Sequence, residues 1–271
     1  MDKEILTMEE AAELFGVSVK TFIKLLKEEK VPARKIGREW RFSRKALIDW
    51  LSAGDSQVYS SSETEAKEFF NEVAPDWEEI RKNYYDESIK NKILDLDILR
   101  KNMTVVDLGS GDGFIARAIA KHVRKVIAVD ISSEMLKELR KKAVDSGIKN
   151  IETLETEAQV VPVQEASVDA VFANMFLHHI EEPEEAIREM SRALKPGGIA
   201  VVSDFHTHSN RELMQKMHDI WAGFDTEDIK KWFSKNGFTN INIETLKNET
   251  GVGDQRNRIN IFMLTALKLN L

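Results

Sequence analysis

From residue 103 onward, short apolar runs alternate with segments long enough to form helices. The runs are TVVDL, KVIAVD, NIETLE, VDAVFANM and GIAVVSDF. Several are rich in Val and Ile and are continuously apolar, as strands buried on both faces are. Strands that alternate with helices predict a parallel sheet with helices on both faces, the doubly wound α/β class.

Two parts of the chain depart from this alternation. The C-terminal runs TNINIETL and RINIFMLTALKL lack a clear intervening helix, so we predict two antiparallel strands at one edge of the sheet. Residues 63–100 have a helical pattern with large aromatic residues: Phe69, Phe70, Trp77, Tyr84 and Tyr85. We expect these aromatics either to form core or to belong to a helical lid over a ligand site.

The first 52 residues predict a small separate domain. Thr7 and Glu10 match a capping box at the start of one helix, and Ser18 can cap a second. A hairpin is predicted around Gly37, and a third helix after Ser43.

Residues 53–62 are small and polar, which is typical of a linker. We therefore predict a domain at 1–52, a linker at 53–62, and a second domain at 63–271. The second domain consists of the helical part at 63–100 and an α/β core at 101–271.

Charge divides the chain in the same way. Residues 1–52 contain 11 Lys and Arg against 9 Asp and Glu, whereas the whole chain has a net charge of −7. A mildly basic domain joined to an acidic one indicates different partners. The sequence contains no cysteine, which excludes disulfides and thiolate metal sites. With neither a signal-peptide pattern nor an apolar run of spanning length, we expect a cytoplasmic protein and no membrane partner.

The stretch VVDLGSGDGF places three glycines at a turn from strand to helix, where a ligand can approach the bare backbone. Gly109, Gly111 and Gly113 give G-x-G-x-G rather than the G-x-G-x-x-G of dinucleotide sites. Asp107 would repel a pyrophosphate but attract a positive charge. Asp130, at the end of the next strand, can accept both hydroxyls of a ribose. S-adenosylmethionine has the required ribose and cationic groups, and it is the cofactor that we predict.

The same chain resembles the class I S-adenosylmethionine-dependent methyltransferases, in particular the small-molecule enzymes among them. VVDLGSGDG resembles the first motif of the family, VIAVD the acidic end of its second strand, and ETEAQVVPV the segment after its third strand. FANMFLHHI and LKPGGIAVVSDF resemble its fourth and fifth strands. The resemblance covers about residues 63–271, with Glu157 standing where the family usually has Asp.

The resemblance implies a role for each matching residue. Asp107 would bind the ammonium group of the cofactor, Asp130 the ribose, and Glu157 and Ala158 the adenine. Alternatively, the glycines form only a tight turn, Asp107 is only a charge beside a helix, Asp130 is a solvated strand end, and Asn174 is a turn residue at a strand end. The full set of predicted cofactor residues is Asp107, Gly109, Ser110, Gly111, Gly113, Asp130, Ile131, Met135, Glu157, Ala158, Asn174 and Met175.

Methyl transfer requires little beyond an aligned nucleophile and a group that accepts its proton. His178, His179 and His208 lie at the carboxyl ends of predicted strands and are our candidates for the base, with capping or packing as the alternative. A metal site at His206 and His208 lacks a supporting carboxylate pattern, so we expect no metal. Tyr84 and Tyr85 are candidates for substrate contact; on a helix, adjacent residues cannot share a face.

Residues 5–51 resemble the excisionase-type branch of the MerR-like winged helix-turn-helix domains, above all over VPARKIGREWRFSRKALIDWL. This resemblance implies DNA binding, although a protein-interaction module is the alternative because the net charge is small. Useful affinity for DNA would require a homodimer. The predicted DNA-binding residues are Ser18, Lys20, Thr21 and Lys24 on the second helix and Lys35, Arg38 and Arg41 on the hairpin.

Two functions follow from the sequence. The first is an enzyme that transfers a methyl group from S-adenosylmethionine to a small-molecule acceptor. The second is a DNA-binding regulator that uses the same fold to sense the cofactor or a metabolite. The sequence identifies neither the acceptor nor the atom that is methylated, and catalytic turnover discriminates between the two functions.

Overall fold

The computed structural model describes residues 3–28, 31–37, 39–53, 56–156, 160–246 and 259–269, with the backbone alone for 27, 28, 52, 53 and 56–63. The chain divides into two compact units, residues 1–62 and 63–271. No helix among these described residues is both long and apolar enough to cross a membrane.

The N-terminal unit combines a three-stranded antiparallel sheet with helices. Its strands, in the spatial order β1-β3-β2, are β1 (Ile5–Leu6), β2 (Arg34–Ile36) and β3 (Glu39–Ser43). The helices that accompany them are α1 (Met8–Leu14), α2 (Val19–Glu28) and α3 (Arg44–Ala53). The predicted capping box is confirmed, because Thr7 Oγ1 accepts the Glu10 N–H and Glu10 Oε2 accepts the Thr7 N–H. Phe22, Phe42 and Leu47 form the centre of its core.

The predicted linker is partly helical. Helix α4 (Ser56–Val73) begins inside it, so residues 56–62 are not the irregular segment that their polar composition indicated. Residues 54 and 55 lie outside the described residues. A polar stretch without apolar periodicity can still continue a helix whose other end packs on a core, because packing outweighs local propensity.

The larger unit contains a seven-stranded sheet in the order β6-β5-β4-β7-β8-β10-β9. Its strands are β4 (Thr104–Leu108), β5 (Lys125–Asp130), β6 (Ile151–Glu155), β7 (Val168–Asn174), β8 (Leu194–Phe205), β9 (Phe238–Leu246) and β10 (Ile261–Lys268). The first five are parallel, and β10 pairs antiparallel with both β8 and β9. The predicted doubly wound sheet with an antiparallel C-terminal edge is confirmed.

Helices cover both faces of this sheet. They are α5 (Trp77–Arg81), α6 (Glu87–Asp95), α7 (Phe114–Ala120), α8 (Ser133–Asp145), α9 (Pro183–Ala193), α10 (Arg211–Met217) and α11 (Thr226–Lys235). One core cluster includes apolar residues of α7 and α8, and the other includes those of α9 and α11. Two buried faces explain why the strand sequences are continuously apolar.

The strand order reverses between β4 and β7. These two strands lie side by side, although α7, β5, α8 and β6 separate them along the chain. In open α/β sheets, ligands bind in the crevice at the carboxyl ends of strands where the order reverses. The glycine turn follows β4, and Asn174 ends β7. The fold therefore brings both predicted segments to this crevice.

Candidate functional site

The glycine turn connects β4 to α7 through three residues with left-handed backbone. The φ angles of Gly109, Gly111 and Gly113 are +62°, +52° and +86°. A residue with a side chain is strained at these positive φ angles, so the turn requires glycine at each position. A Cβ at Gly111 would lie 3.4 Å from Trp77 Nε1, so Gly111 faces the helical segment before the sheet.

Two of the three glycines also lie against other side chains of the protein. A Cβ at Gly109 would lie 2.3 Å from Phe176 Cδ2, and one at Gly113 would lie 2.6 Å from Leu139 Cγ. The absence of a side chain at these positions thus serves packing as well as backbone conformation. For Gly109 and Gly113, the alternative that these glycines only form a tight turn therefore stands beside their predicted role in ligand approach.

Asp107 is a buried acid in β4, with 1% of its surface exposed. Its carboxylate interacts with the backbone of Ala116 in the first turn of α7, yet its Oδ2 has no hydrogen-bond partner among the described residues. Burial raises the pKa of Asp107 to about 8, and the charge of Asp130 adds to the rise while the Ala116 backbone opposes it. A buried acid with a free oxygen is suited to bind a cationic group of a ligand.

Asp130 ends β5 and supports the glycine turn. Its Oδ2 accepts the backbone N–H of Gly111 at 2.7 Å, and its Oδ1 accepts that of Ser132 at 2.9 Å. Burial raises the pKa of Asp130 to about 6, although these N–H donors oppose the rise. Because each oxygen has more than one lone pair, both remain able to accept a hydroxyl from a ribose.

The residues after Asp130 divide between the site and the core. Ser132 caps α8, since its Oγ accepts the Met135 N–H at 3.0 Å and donates to Asn71 Oδ1 at 2.8 Å. Ile131 is half-buried. Met135 is only 1% exposed and belongs to the core cluster on this face of the sheet. Its predicted contact with the cofactor stays a prediction.

The remaining predicted cofactor residues differ in what the structure describes. The Ser110 N–H donates to the Val129 carbonyl at 3.0 Å, which ties the turn to β5, and Ser110 Oγ is buried without a described partner. Glu157 and Ala158, the predicted adenine contacts, lie outside the described residues.

Sequence reasoning missed Asp112 inside the glycine turn. Asp112 is 1% exposed, and its Oδ2 accepts from Lys142 Nζ at 2.5 Å. The same Nζ reaches Glu78 Oε2 at 2.7 Å. This ion-pair chain joins the turn to α8 and to α5. The acid within GSGDG was visible in the sequence, but its partner could not be identified without the fold.

The end of β7 lies beside the turn, as predicted. Asn174 Oδ1 accepts from Ser203 Oγ at 2.7 Å, and Tyr85 interacts with the Asn174 side chain. Met175 follows with φ +51°, a conformation rare for residues other than glycine. Local strain of this kind is common at functional sites.

Tyr84 and Tyr85 do not lie on a helix. They fall in the turn between α5 and α6, so the argument from helical spacing was wrong for them. Tyr85 is buried, and desolvation raises the pKa of its hydroxyl. Its ring packs edge-on against Phe114 at 5.6 Å. Tyr84 is half-buried and packs against the core.

His178 is held by a buried carboxylate. Its Nδ1 lies 2.6 Å from Asp204 Oδ1, and the Asp204 carboxylate also accepts the Phe205 N–H at 2.7 Å. Burial alone would lower the pKa of His178, but the charge and hydrogen bond of Asp204, with the charge of Asp219, raise it. Because Nδ1 donates to Asp204, Nε2 presents its lone pair on the other side of the ring.

His179 and Asp219 lie against His178. The His178 and His179 ring centroids are 4.0 Å apart, and Asp219 Oδ1 lies 3.6 Å from one nitrogen of each ring. Burial and the neighbouring His178 lower the pKa of His179 well below its usual value. Burial raises the pKa of Asp219 to about 6, opposed by His178. Sequence reasoning missed Asp204 and Asp219: Asp204 lies within the stretch LKPGGIAVVSDF but was given no role there, and only the fold brings the two acids to the histidines.

His208 differs from the other two candidates for the base. Its Nδ1 accepts the Asn210 N–H at 3.2 Å, which places the proton of the neutral ring on Nε2. Nε2 is buried without a described partner and presents a donor rather than a lone pair. His208 therefore fits a general base less well than His178 does. His206 hydrogen-bonds Thr245, and His218 packs on Phe69.

In the N-terminal unit, the predicted DNA-binding residues lie on α2, at its start and on the hairpin. Ser18 Oγ accepts the Thr21 N–H at 3.1 Å, and Lys20, Lys24 and Lys35 are exposed. Arg41 forms an ion pair with Glu39, which offsets part of its charge. Arg38 lies outside the described residues.

Comparison with known families supports both parts of this arrangement. Residues 106–202 match the family described as a methyltransferase domain, and residues 5–55 match a helix-turn-helix domain. The chain thus joins a helix-turn-helix domain to a methyltransferase domain. S-adenosylmethionine is the cofactor that this domain implies, and the glycine turn with Asp107 and Asp130 provides groups that fit it.

Curated relatives match the methyltransferase part. The ubiquinone/menaquinone biosynthesis C-methyltransferase UbiE of Pseudomonas fluorescens is 33% identical over 137 residues, which are 49% of this chain and 53% of that protein. UbiE of Hahella chejuensis is 29% identical over 49% of this chain and 55% of its own length. The chain spans about half the length of the curated relatives it matches.

Solved structures share the fold. A methyltransferase from Aquifex aeolicus, described as S-adenosylmethionine-dependent, has a TM-score of 0.54 at 21% identity, with 76% of this chain and 98% of that one covered. A Haemonchus contortus phosphoethanolamine N-methyltransferase in complex with S-adenosylhomocysteine has a TM-score of 0.58 at 18% identity, covering 67% and 53%. The [4+2]-cyclase SpnF has a TM-score of 0.64 at 17% identity, covering 76% and 96%. The fold alone thus does not define the reaction.

Proposed function

We propose that the chain binds S-adenosylmethionine at the glycine turn and transfers its methyl group to a small-molecule acceptor. The observation that carries this proposal is the pair of acids that flank the turn, the buried Asp107 with a free oxygen and the half-buried Asp130 with both oxygens on backbone donors. A dinucleotide would instead bring its pyrophosphate against Asp107, which electrostatics disfavours. The match to a methyltransferase domain supports the same conclusion.

The ammonium, the ribose and the methyl-bearing side of the cofactor each have a partner of suitable chemistry in this proposal. The ammonium of the methionine tail would bind the free oxygen of Asp107, and the ribose hydroxyls would bind Asp130. Asn174 and Met175, at the adjacent end of β7, would line the methyl-bearing side. When bound, the cofactor supplies a methyl group on a sulfonium, which is a good leaving group, so the protein mainly aligns the acceptor.

The acceptor would bind on the histidine side of the crevice. Phe70 of α4 packs edge-on against His179 at 5.2 Å, and Phe69 packs on His218 at 4.7 Å. These aromatic rings give the site an apolar cover that would exclude water during transfer. His178 presents a lone pair that can accept a proton, which supports its predicted role more than that of His208.

Calorimetry and turnover test this proposal on the full-length chain. S-adenosylmethionine and S-adenosylhomocysteine should bind with one-to-one stoichiometry, and NAD should not bind. A panel of small-molecule acceptors with methyl-labelled cofactor should then yield labelled product together with S-adenosylhomocysteine. Binding of NAD without a response to S-adenosylmethionine would refute the proposal.

A second function, a DNA-binding regulator that senses the cofactor, is favoured by the helix-turn-helix match at residues 5–55. Exposed Lys20, Lys24 and Lys35 could meet phosphates while α2 lies in a major groove. The test is selection of binding sequences from a random DNA pool at low salt, with and without S-adenosylmethionine. Lys20→Glu with Lys35→Glu should reduce the log–log salt slope by about 2, because each lost phosphate contact removes about 1.

The matched control is Lys137→Glu on α8, an exposed lysine outside the N-terminal domain. This variant should leave the salt slope unchanged. If the full-length chain selects no sequence even at low salt, the N-terminal domain is a protein-interaction module instead.

A further inference from the structure

Three side chains converge at the carboxyl edge of the sheet and form what we call the histidine cluster: His178, His179 and Asp219. His178 Nε2 and His179 Nδ1 each lie 3.6 Å from Asp219 Oδ1. One ligand-type atom from each residue lies within 4.8 Å of the other two. The side chains of His178 and Asp219 are 4% and 1% exposed, and that of His179 is 15% exposed. The cluster is therefore largely shielded from solvent.

In its neutral form, each of the two imidazole rings directs a lone pair to the cluster. Asp204 accepts the Nδ1–H of His178, so Nε2 of that ring faces Asp219 as a lone pair. The His218 backbone engages the ring of His179, whose Nδ1 has no hydrogen-bond partner among the described residues. The remaining Nε2 of His179 is thus the donor to that backbone, and Nδ1 is left as a second lone pair.

The carboxylate of Asp219 is also without hydrogen-bond partners. Neither Oδ1 nor Oδ2 has one among the residues that the structure describes, although both are buried. A buried carboxylate that faces two nitrogen lone pairs is unfavourable unless a cation lies between them. The arrangement requires a bound proton or a metal ion.

We propose that His178, His179 and Asp219 bind a divalent transition-metal ion, and that this ion is Zn²⁺. Zinc bonds of about 2.0–2.2 Å at tetrahedral angles separate neighbouring ligand atoms by about 3.4 Å. The two 3.6 Å separations from Asp219 Oδ1 are close to that spacing, and the two imidazole nitrogens lie within 4.8 Å of each other. Two imidazoles and one carboxylate favour zinc over magnesium or calcium, which prefer oxygen ligands.

Asp204 supplies a further feature of such a centre. A histidine that binds a metal usually donates its other ring N–H to a carboxylate, which fixes the ring orientation. Asp204 has this position toward His178, and its carboxylate is itself held by the Phe205 N–H. A proton held between His178 and Asp219 would not need this second carboxylate or the lone pair of His179. From the sequence we expect no metal, because His206 and His208 lack a supporting carboxylate pattern; Asp219 is distant from His178 and His179 along the chain, so the sequence does not indicate this cluster.

Three protein ligands leave one tetrahedral position for a water molecule or a ligand atom. The next step alone rests on the proposed function. If that function is correct, the open tetrahedral position would bind an oxygen of the methyl acceptor beneath Phe70 of α4. His178 Nε2 would then bind the ion instead of acting as the base, and the ion would lower the pKa of the bound hydroxyl. The acceptor class would then be a compound with an ionisable hydroxyl group.

Metal titration of the full-length, tag-free chain tests the site. After dialysis against a chelator, Zn²⁺ is titrated in competition with a chromophoric chelator, and Co²⁺ is followed by its visible absorption. We expect one equivalent of each ion. Asp219→Asn keeps the size of the side chain but removes its charge, and should weaken Zn²⁺ binding more than 100-fold. His179→Gln should have the same effect, whereas Asp204→Asn should weaken binding about 10–100-fold, the range for a supporting carboxylate.

The matched control is His122→Gln, because His122 is exposed and lies outside the histidine cluster. This variant should bind Zn²⁺ like the wild type. Thermal unfolding shows whether each variant is folded. If Asp219→Asn does not fold, the loss of Zn²⁺ binding in His179→Gln still tests the site. The proposal is overturned if the wild type binds no equivalent of Zn²⁺ or Co²⁺, or if Asp219→Asn and His179→Gln bind it as tightly as the wild type.

Binding of S-adenosylhomocysteine separates this proposal from the proposed function. A wild type that binds Zn²⁺ but not S-adenosylhomocysteine would refute the methyltransferase proposal and leave the metal site intact. The reverse result would refute the metal site alone.

Discussion

The glycine-turn region, which comprises Asp107, residues 109–113 and Asp130, contrasts with the histidine cluster on the same edge of the sheet. Each contains a buried acid with a free oxygen, Asp107 in the first and Asp219 in the second. Asp107 and Asp130 lie near backbone N–H donors, whereas Asp219 faces imidazole nitrogens. Similar burial thus prepares an acid for different cations, because the neighbouring groups determine which cation fits.

The two regions also differ in what their backbone requires. The turn depends on glycines with left-handed φ, whereas the histidine cluster depends on side chains that approach from separate elements. A substitution can therefore disturb one region and leave the other unchanged.

The largest expected effect is on stability, from Gly109→Ala. The added Cβ would lie 2.3 Å from Phe176 Cδ2, and φ is +62°. We expect the free energy of unfolding to fall by about 2–4 kcal/mol, of which about 1 comes from the backbone and about 1–3 from overpacking. Urea denaturation measures it.

Gly147→Ala is the control for that variant. Gly147 has φ +67°, but a Cβ there would meet nothing within 4 Å, so we expect a loss of only about 1 kcal/mol. Equal losses for the two variants would show that contact with Phe176 does not matter.

Asp107→Asn should change cofactor affinity and stability in opposite directions. The side chain keeps its size but loses the charge that binds the ammonium, so S-adenosylmethionine affinity should fall by about 1.5–3 kcal/mol, or about 10–100-fold. The pKa of Asp107 is raised to about 8 in the folded state, so its ionisation opposes folding above about pH 4. Removal of the charge should therefore raise the melting temperature at pH 7.

Calorimetry and thermal unfolding measure these two effects. Asp145→Asn, at an exposed position on α8, is the control and should change neither. Zn²⁺ binding at the histidine cluster should also be unchanged in Asp107→Asn. If the affinity of this variant for S-adenosylmethionine equals that of the wild type, Asp107 does not bind the ammonium group.

Asp130→Ala should weaken cofactor binding by about 1–3 kcal/mol, the scale for lost hydrogen bonds to a charged group. The ligand 5′-methylthioadenosine has the ribose but no amino-acid tail, so it separates the two acids. Its affinity should fall in Asp130→Ala and stay constant in Asp107→Asn. An unchanged affinity in folded Asp130→Ala would place the ribose elsewhere.

The sequence predicted the first region well and the second poorly. The glycine turn, Asp107 and Asp130 belong to contiguous strand–turn–helix motifs, so their spacing alone indicated their proximity. The histidines were identified as residues of interest, but Asp204 and Asp219 come from β8 and the segment after α10, and only the sheet order unites them. Met135, one of the predicted cofactor residues, lies in the core cluster on that face of the sheet, and the sequence did not indicate how deeply it is buried.

The last effect that we predict is the pH dependence of cofactor affinity, and it reports on the first region alone. In the free protein, burial raises the pKa of Asp107 to about 8 and that of Asp130 to about 6. A cationic ligand prefers the ionised acid, so binding between these values should release a proton from Asp107. The dissociation constant of S-adenosylmethionine should therefore fall by up to about tenfold per pH unit from about pH 6 to about pH 8. Calorimetry in buffers of different ionisation enthalpy measures the proton directly. Binding of 5′-methylthioadenosine should depend on pH only below about pH 6, where Asp130 is protonated, and Asp107→Asn should remove the dependence above that value. A dependence that persists in Asp107→Asn would assign the proton to another group.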